Sequence, residues 1–184
     1  MKEPDMWIMK IRDNDSASTK NYFQELFVKE DCLNQIGYTK DDGNKIETFQ
    51  ERWNRIKIGD LIVVMEGTNK VYGVVEITSN AWDEEGKGGA DWFFHRRKAK
   101  CIKYFEKPIE AKNSTNRDTI IEYSGIGAVG ICDEIWALIK EDYFLQKNIE
   151  SMQKYIDILK ANKNLIFTGA PGTGKSYWAK EIAK

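Results

Sequence analysis

Eight consecutive residues carry the plainest chemistry in this chain. Gly169, Ala170, Pro171, Gly172, Thr173, Gly174, Lys175 and Ser176 match G-x-x-x-x-G-K-[ST] in full. Glycines at those positions let successive backbone N–H groups turn inward on phosphate oxygens, and a following helix adds its positive N-terminal end. In that frame Lys175 reaches the outer phosphates and Ser176 ligates Mg²⁺. The motif needs a strand before it and a helix after it, and Asn164–Phe167 and the stretch from Tyr177 read as those two elements.

A second cluster is basic. His95, Arg96, Arg97, Lys98 and Lys100 fall within six positions, and as a strand they alternate, with Arg97 on one face and Arg96, Lys98 and Lys100 on the other. That second row suits a phosphate backbone and equally suits a solvated outer face. Lys10 and Arg12, near the end of the first expected strand, are candidates to join the same surface. His95 is the single histidine, so no histidine-based triad or His-rich metal site can be built. The acidic residues form no P-D…(D/E)-x-K nuclease pattern, and no catalytic residue is expected.

The third group is aromatic: six Trp, eight Tyr and eight Phe, with most of the Trp in the first 92 positions. Trp53 lies on an apolar helical face and reads as core, as does Trp136 on its helix, while Trp178 follows the phosphate loop. Trp82 sits in a Gly-rich charged loop with no amphipathic period to bury it, so packing and ligand contact both fit, and the same holds for Trp92. Trp7 fits the core and fits a pocket.

These groups belong to a chain of 184 residues with 28 Lys+Arg, 29 Asp+Glu and a formal charge of -1, which gives one domain plus a remainder. The near-zero balance excludes a globally basic nucleic-acid binder, so any such site is local. With 41% apolar and 31% charged residues and a mean hydropathy of -0.57, no run approaches a spanning helix. The N-terminus shows no secretory pattern, and the expected compartment is cytoplasmic. Three cysteines without C-x-x-C spacing read as reduced thiols.

The elements that must position the groups follow from periodicity. A strand is expected at 6–11, helices at Asn21–Glu30 and Lys45–Ile56, a central hairpin from Asp60–Glu66 and Val71–Thr78, and a strand at Trp92–Phe105 ended by Glu106 to Pro108. Gly73 inside the hairpin marks a bulge or a close backbone approach. Ser124–Gly130 reads as a Gly-rich turn, and Glu134 to Ala161, without Gly or Pro, as helices. The division is 1–130 as a mixed domain, 131–163 as a helical connector and 164–184 as the start of a P-loop segment. Only eight residues follow Ser176, so the chain is expected to stop just inside a motor domain and to bind nucleotide weakly or not at all.

The segment NLIFTGAPGTGKSYWAKEIA resembles the start of the AAA+ motor in McrB-type subunits of modification-dependent restriction systems. The region of about 5–130 resembles the EVE branch of PUA-like domains, related to YTH readers. The resemblance rests on WIMKI, Ile36-Gly37-Tyr38, FQERWNRIKIGDLIVVMEG, KVYGVVEITS and a following Trp-bearing loop. It implies an α/β (α+β) fold, a small twisted PUA-like β-barrel flanked by helices, that flips a modified base such as 5-methylcytosine out of double-stranded DNA into an aromatic pocket. Matched by position, the pocket candidates are Tyr38, Trp82, Trp92 and, at the first strand, Trp7. Tyr38 stands where many relatives have Trp, and the acidic insertion Asp83, Glu84 and Glu85 would lie beside a polyanion. The resemblance further implies GTP or ATP with Mg²⁺ for the whole protein and none for the N-terminal part. It implies a McrC-like nuclease partner, a ring-forming homo-oligomer for the parent, a monomer for this piece, and no membrane association. A regulatory or protein-interaction domain of an ATPase, and a PUA-like reader of modified RNA, are the alternatives.

Overall fold

The computed structural model describes residues 3–10, 19–38, 46–87, 93–111, 120–125, 128–162, 166 and 175–182. The chain divides into two compact units, Met1–Ala137 and Leu138–Lys184.

The first unit is mixed α/β. Its elements are β1 (Met6–Lys10), α1 (Thr19–Phe27), β2 (Gln35–Tyr38), α2 (Ile46–Arg55), β3 (Leu61–Glu66), β4 (Lys70–Ile77), β5 (Trp82–Asp83), β6 (His95–Glu110), β7 (Ile120–Glu122) and the opening of α3 (Ala128–Asn162). The strands form one sheet in the order β2-β6-β4-β3-β1-β7, with β5 attached to β6. Among the described strands only β1 and β3 pair in parallel, and the other pairs are antiparallel. Register shifts in the β3–β4 and β4–β6 ladders bend the sheet, which curls as a half-barrel where the sequence leads one to expect a small barrel; among the described residues no pairing joins β2 to β7.

Alternation along the strands explains the core. Trp7, Met9, Ile62, Val64 and Val75 face Tyr22, Phe23, Leu26 and Phe27 of α1 and Trp53 of α2 in one buried cluster. The opposite face of the same strands, Met6, Ile8, Leu61, Val63 and Val74, is equally buried. Ala128, Ile131, Cys132 and Ile135, spaced as one helical stripe at the start of α3, are buried too. Arg52 fastens α2 to β7, its Nη1 donating to the Ile120 oxygen at 2.7 Å. The spacing of Ile46, Phe49 and Trp53 predicts one helical face, and the side chains of Ile46 and Phe49 lie outside those described.

Three elements differ from the reading of the sequence. β6 runs through Pro108 to Glu110. Gly73 pairs with Tyr104 and Val71 with Ile109, so Pro108 falls in the bulge opposite Tyr72, where no ladder donor is required. β7 carries no signal beyond Ile120 and Ile121, too short a run to stand out. The helical stretch is one helix of 35 residues that begins inside the Gly-rich segment at Ala128. A Cβ at Gly130 would meet nothing within 4 Å, so glycine there is neither required nor obstructive.

The second unit holds the remainder of α3 from Leu138 and α4 (Lys175–Ile182). Among the described residues no helix is long and apolar enough to cross a membrane.

Candidate nucleic-acid interface

The first residues of β6 are flanked on one side by β2 and on the other by β5, giving two cross-strand rows. Tyr38, His95 and Asp83 form one row, and Gly37, Arg96 and Trp82 form the next. Directly opposed residues in antiparallel strands share a face, so the first row faces the core and the second faces away from it.

In the inner row the Tyr38 and His95 rings stack at 4.4 Å and 26°. His95 Nδ1 lies 2.7 Å from Asp83 Oδ1. Tyr38 also meets Trp53 edge-on at 5.3 Å. Behind it Trp7 donates from Nε1 to Asp60 Oδ2 at 3.0 Å, and the same oxygen accepts from the Lys57 backbone at 2.8 Å. Tyr38 and Trp7 are both 4% exposed and belong to the core cluster. Arg97, on the same face as His95, is buried as well. Burial lowers its pKa, and the charges of Asp60 and Tyr38 oppose that shift.

In the outer row Trp82 is half-buried and donates from Nε1 to Glu84 Oε2 at 3.1 Å. Arg96 is 2% exposed. Its Nε donates to the Glu84 oxygen at 3.0 Å, Nη1 to Gln35 Oε1 at 3.0 Å and Nη2 to the Phe93 oxygen at 2.9 Å. Lys98 and Lys100 follow on the same face and are exposed. Gly37 is fixed by crowding, because a Cβ there would press on the His95 carbonyl and lie 2.9 Å from Phe93 Cβ.

The register therefore brings Trp82, Arg96, Lys98 and Lys100 to one face and sets Tyr38 on the other. Lys10 is 4% exposed at the C-terminal end of β1. β1 and β6 run in the same direction, so Lys10 lies at the end of the sheet away from Arg96. Trp92 and Arg12 lie outside the described residues. Asp60 and Asp83, which anchor Trp7 and His95, carried no recognisable signal, because an isolated acid before a strand or inside a charged loop reads as solvated.

Of the phosphate-loop residues, Lys175 and Ser176 open α4, where the motif requires its helix to begin. Gly169, Ala170, Pro171, Gly172, Thr173 and Gly174 lie outside the described residues. Among the described residues no group of three or more His, Cys, Asp or Glu is arranged to hold a metal ion.

No family model matches this chain, and no curated protein matches it. Solved structures do. A YTH domain of Zygosaccharomyces rouxii MRB1 in complex with N6-methyladenosine RNA has 15% identity, covers 76% of this chain and 87% of its own, and gives a TM-score of 0.47. A hypothetical protein from Leishmania major has 9% identity, with 78% and 98% covered and a TM-score of 0.45. The Pho92 YTH domain in complex with m6A has 18% identity, with 74% and 84% covered and a TM-score of 0.38. At these identities and scores none of the three bears on what this chain binds.

Proposed function

We propose that the Met1–Ala137 unit reads a modified base in DNA, ahead of a P-loop NTPase segment of the McrB type. The observation that carries this reading is the half-exposed Trp82 indole on the same strand face as the exposed Lys98 and Lys100. An indole face offers an unstacked base about 1–3 kcal/mol of stacking. Two cations farther along the same face suit the flanking phosphates. The acid beside Trp82 is partly engaged: Asp83 turns to His95, and Glu84 accepts from Trp82.

In this reading Trp82 and Trp92 wall the base, while Tyr38 and Trp7 hold the frame behind them. A methyl group enclosed by such walls adds up to about 0.8 kcal/mol. Gly169 to Gly174 would cradle a GTP or ATP, with Lys175 on its outer phosphates and Ser176 on Mg²⁺; α4 beginning at Lys175 fits that role. Hydrolysis of the nucleotide supplies the work, in a homo-oligomeric ring, and a McrC-like partner subunit supplies cleavage.

The test is a titration of the chain against matched duplexes carrying cytosine, 5-methylcytosine, 5-hydroxymethylcytosine or N6-methyladenine, and against N6-methyladenosine RNA, at one stated salt concentration. Preference for one modified duplex, lost in Trp82→Ala, is the expected result. Binding indifferent to modification overturns base reading, and preference for the RNA moves the substrate from DNA to RNA.

A further inference from the structure

We infer that Arg96 is a positioning residue for base discrimination and not a phosphate contact, an inference that rests on the base-reading function proposed above. Its guanidinium is directed at three separate segments: β2 through Gln35, the chain leaving β5 through Glu84, and the chain returning to β6 through Phe93. Glu84 and Phe94 are themselves joined, the Glu84 N–H donating to the Phe94 oxygen at 2.9 Å, and the Phe94 N–H donates to the Tyr38 oxygen at 2.9 Å. Arg96 thus ties Glu84, two residues past Trp82, to Phe93 and to β2.

The row explains how the side chain reaches so far. Gly37 stands directly opposite Arg96 on β2 and puts no side chain in the way, and Gln35 lies two residues back on that same face. At 2% exposure the group is withdrawn from solvent, whereas Lys98 and Lys100 on the same face are exposed. A guanidinium holds donors on three nitrogens in fixed, spread directions, whereas the three donors of an ammonium radiate from one nitrogen on a flexible stem.

The two roles differ in what they do to salt dependence. A phosphate contact contributes about one unit to the slope of log affinity against log salt and acts equally on modified and unmodified duplex. A positioning residue leaves the slope alone and acts on the ratio between the two duplexes. The experiment is therefore the titration of Arg96→Lys and Gln35→Ala against the preferred and unmodified duplexes at several salt concentrations, with hydrogen exchange of the Glu84 and Phe94 amides in the free proteins. Arg96→Lys is expected to cut discrimination about tenfold, to leave the slope unchanged and to speed exchange at both amides. Gln35→Ala, which removes one of the acceptors described above, is expected to do the same to a smaller degree. A slope reduced by about one with discrimination intact, or unchanged exchange at both amides, overturns the inference. Absence of discrimination in the wild-type chain sinks the base-reading function instead, and the exchange measurement still decides whether Arg96 holds Glu84 and Phe94 in place.

Discussion

Arg97 lies over the indole of Trp53, with Cζ 5.1 Å from the ring centroid, and its Nη2 donates to the Trp53 backbone oxygen at 2.8 Å. One side chain thus joins β6 to α2 through both the ring and the main chain of the same tryptophan. Arg97 Nε and Trp53 Nε1 find no hydrogen-bond partner among the described residues, so this contact is held by stacking and by the Nη groups.

That arrangement separates two tryptophans. Trp53 is 1% exposed at the centre of the cluster, and Trp53→Ala should lower stability by about 3–5 kcal/mol. Trp82→Ala should change stability far less and abolish the preference for modified duplex. Denaturant unfolding of both variants beside the binding titration checks this, and equal loss of stability in the two would remove the distinction.

Lys98 and Lys100 are exposed cations on the Trp82 face. Lys98→Ala and Lys100→Ala should each flatten the salt dependence of DNA binding by about 0.9 in slope, with equal effect on modified and unmodified duplex. Isotherms at four or more salt concentrations give the slopes. A variant that changes only the modified-base preference would place its lysine in base readout.

Gly73 is held to glycine by its neighbours. A Cβ there would press on the Lys103 carbonyl and lie 2.5 Å from Phe23 Cζ, and neither the strand backbone nor the packed ring can withdraw freely. Gly73→Ala should cost about 1–3 kcal/mol as overpacking. Thermal unfolding measures it, and a neutral substitution would mean that α1 is loosely seated on β4.

Two thiols carry a pH signature. Burial foremost pushes Cys101 up from 9.0 to about 11, with Cys32 adding to the shift, and pushes Cys132 up to about 12, with Asp133 adding to it. A group whose folded pKa is raised contributes stability that is complete below its unfolded value and is lost as pH rises toward the folded one. The urea midpoint should therefore fall between pH 9 and about 12. At pH 8 a thiol reagent should label Cys132 only on unfolding. Rapid labelling of Cys132 in the folded protein would contradict its burial.

The frame of the first unit was legible because its signals are local: β1, the β3–β4 hairpin and α2 follow from alternation and helical spacing around Trp7, Ile62 and Trp53. Gly73 was legible as a bulge or a close approach for the same reason. The partners were not, since a register between β6 and both β2 and β5 leaves no mark in any one segment. For that reason Arg96 reads in sequence as one of a row of cations on a strand, although Gln35, Glu84 and Phe93 each accept a hydrogen bond from it. Tyr38 and Trp82 read as one aromatic set, although one residue of register separates their rows. β5, two residues long, is below the length at which alternation can be detected.

The position of β1 in the sheet has a consequence for how the protein is made. β1 lies between β3 and β7, so its two edges wait for residues 61–66 and 120–122 to be synthesised. β1 is made before either of its neighbours, and until both have followed its run of Met, Trp and Ile stays open to any other strand edge or to a chaperone. Yield in the cell should accordingly depend on how quickly translation carries the chain past Glu122, a property set by codons and temperature as much as by any contact in the finished fold.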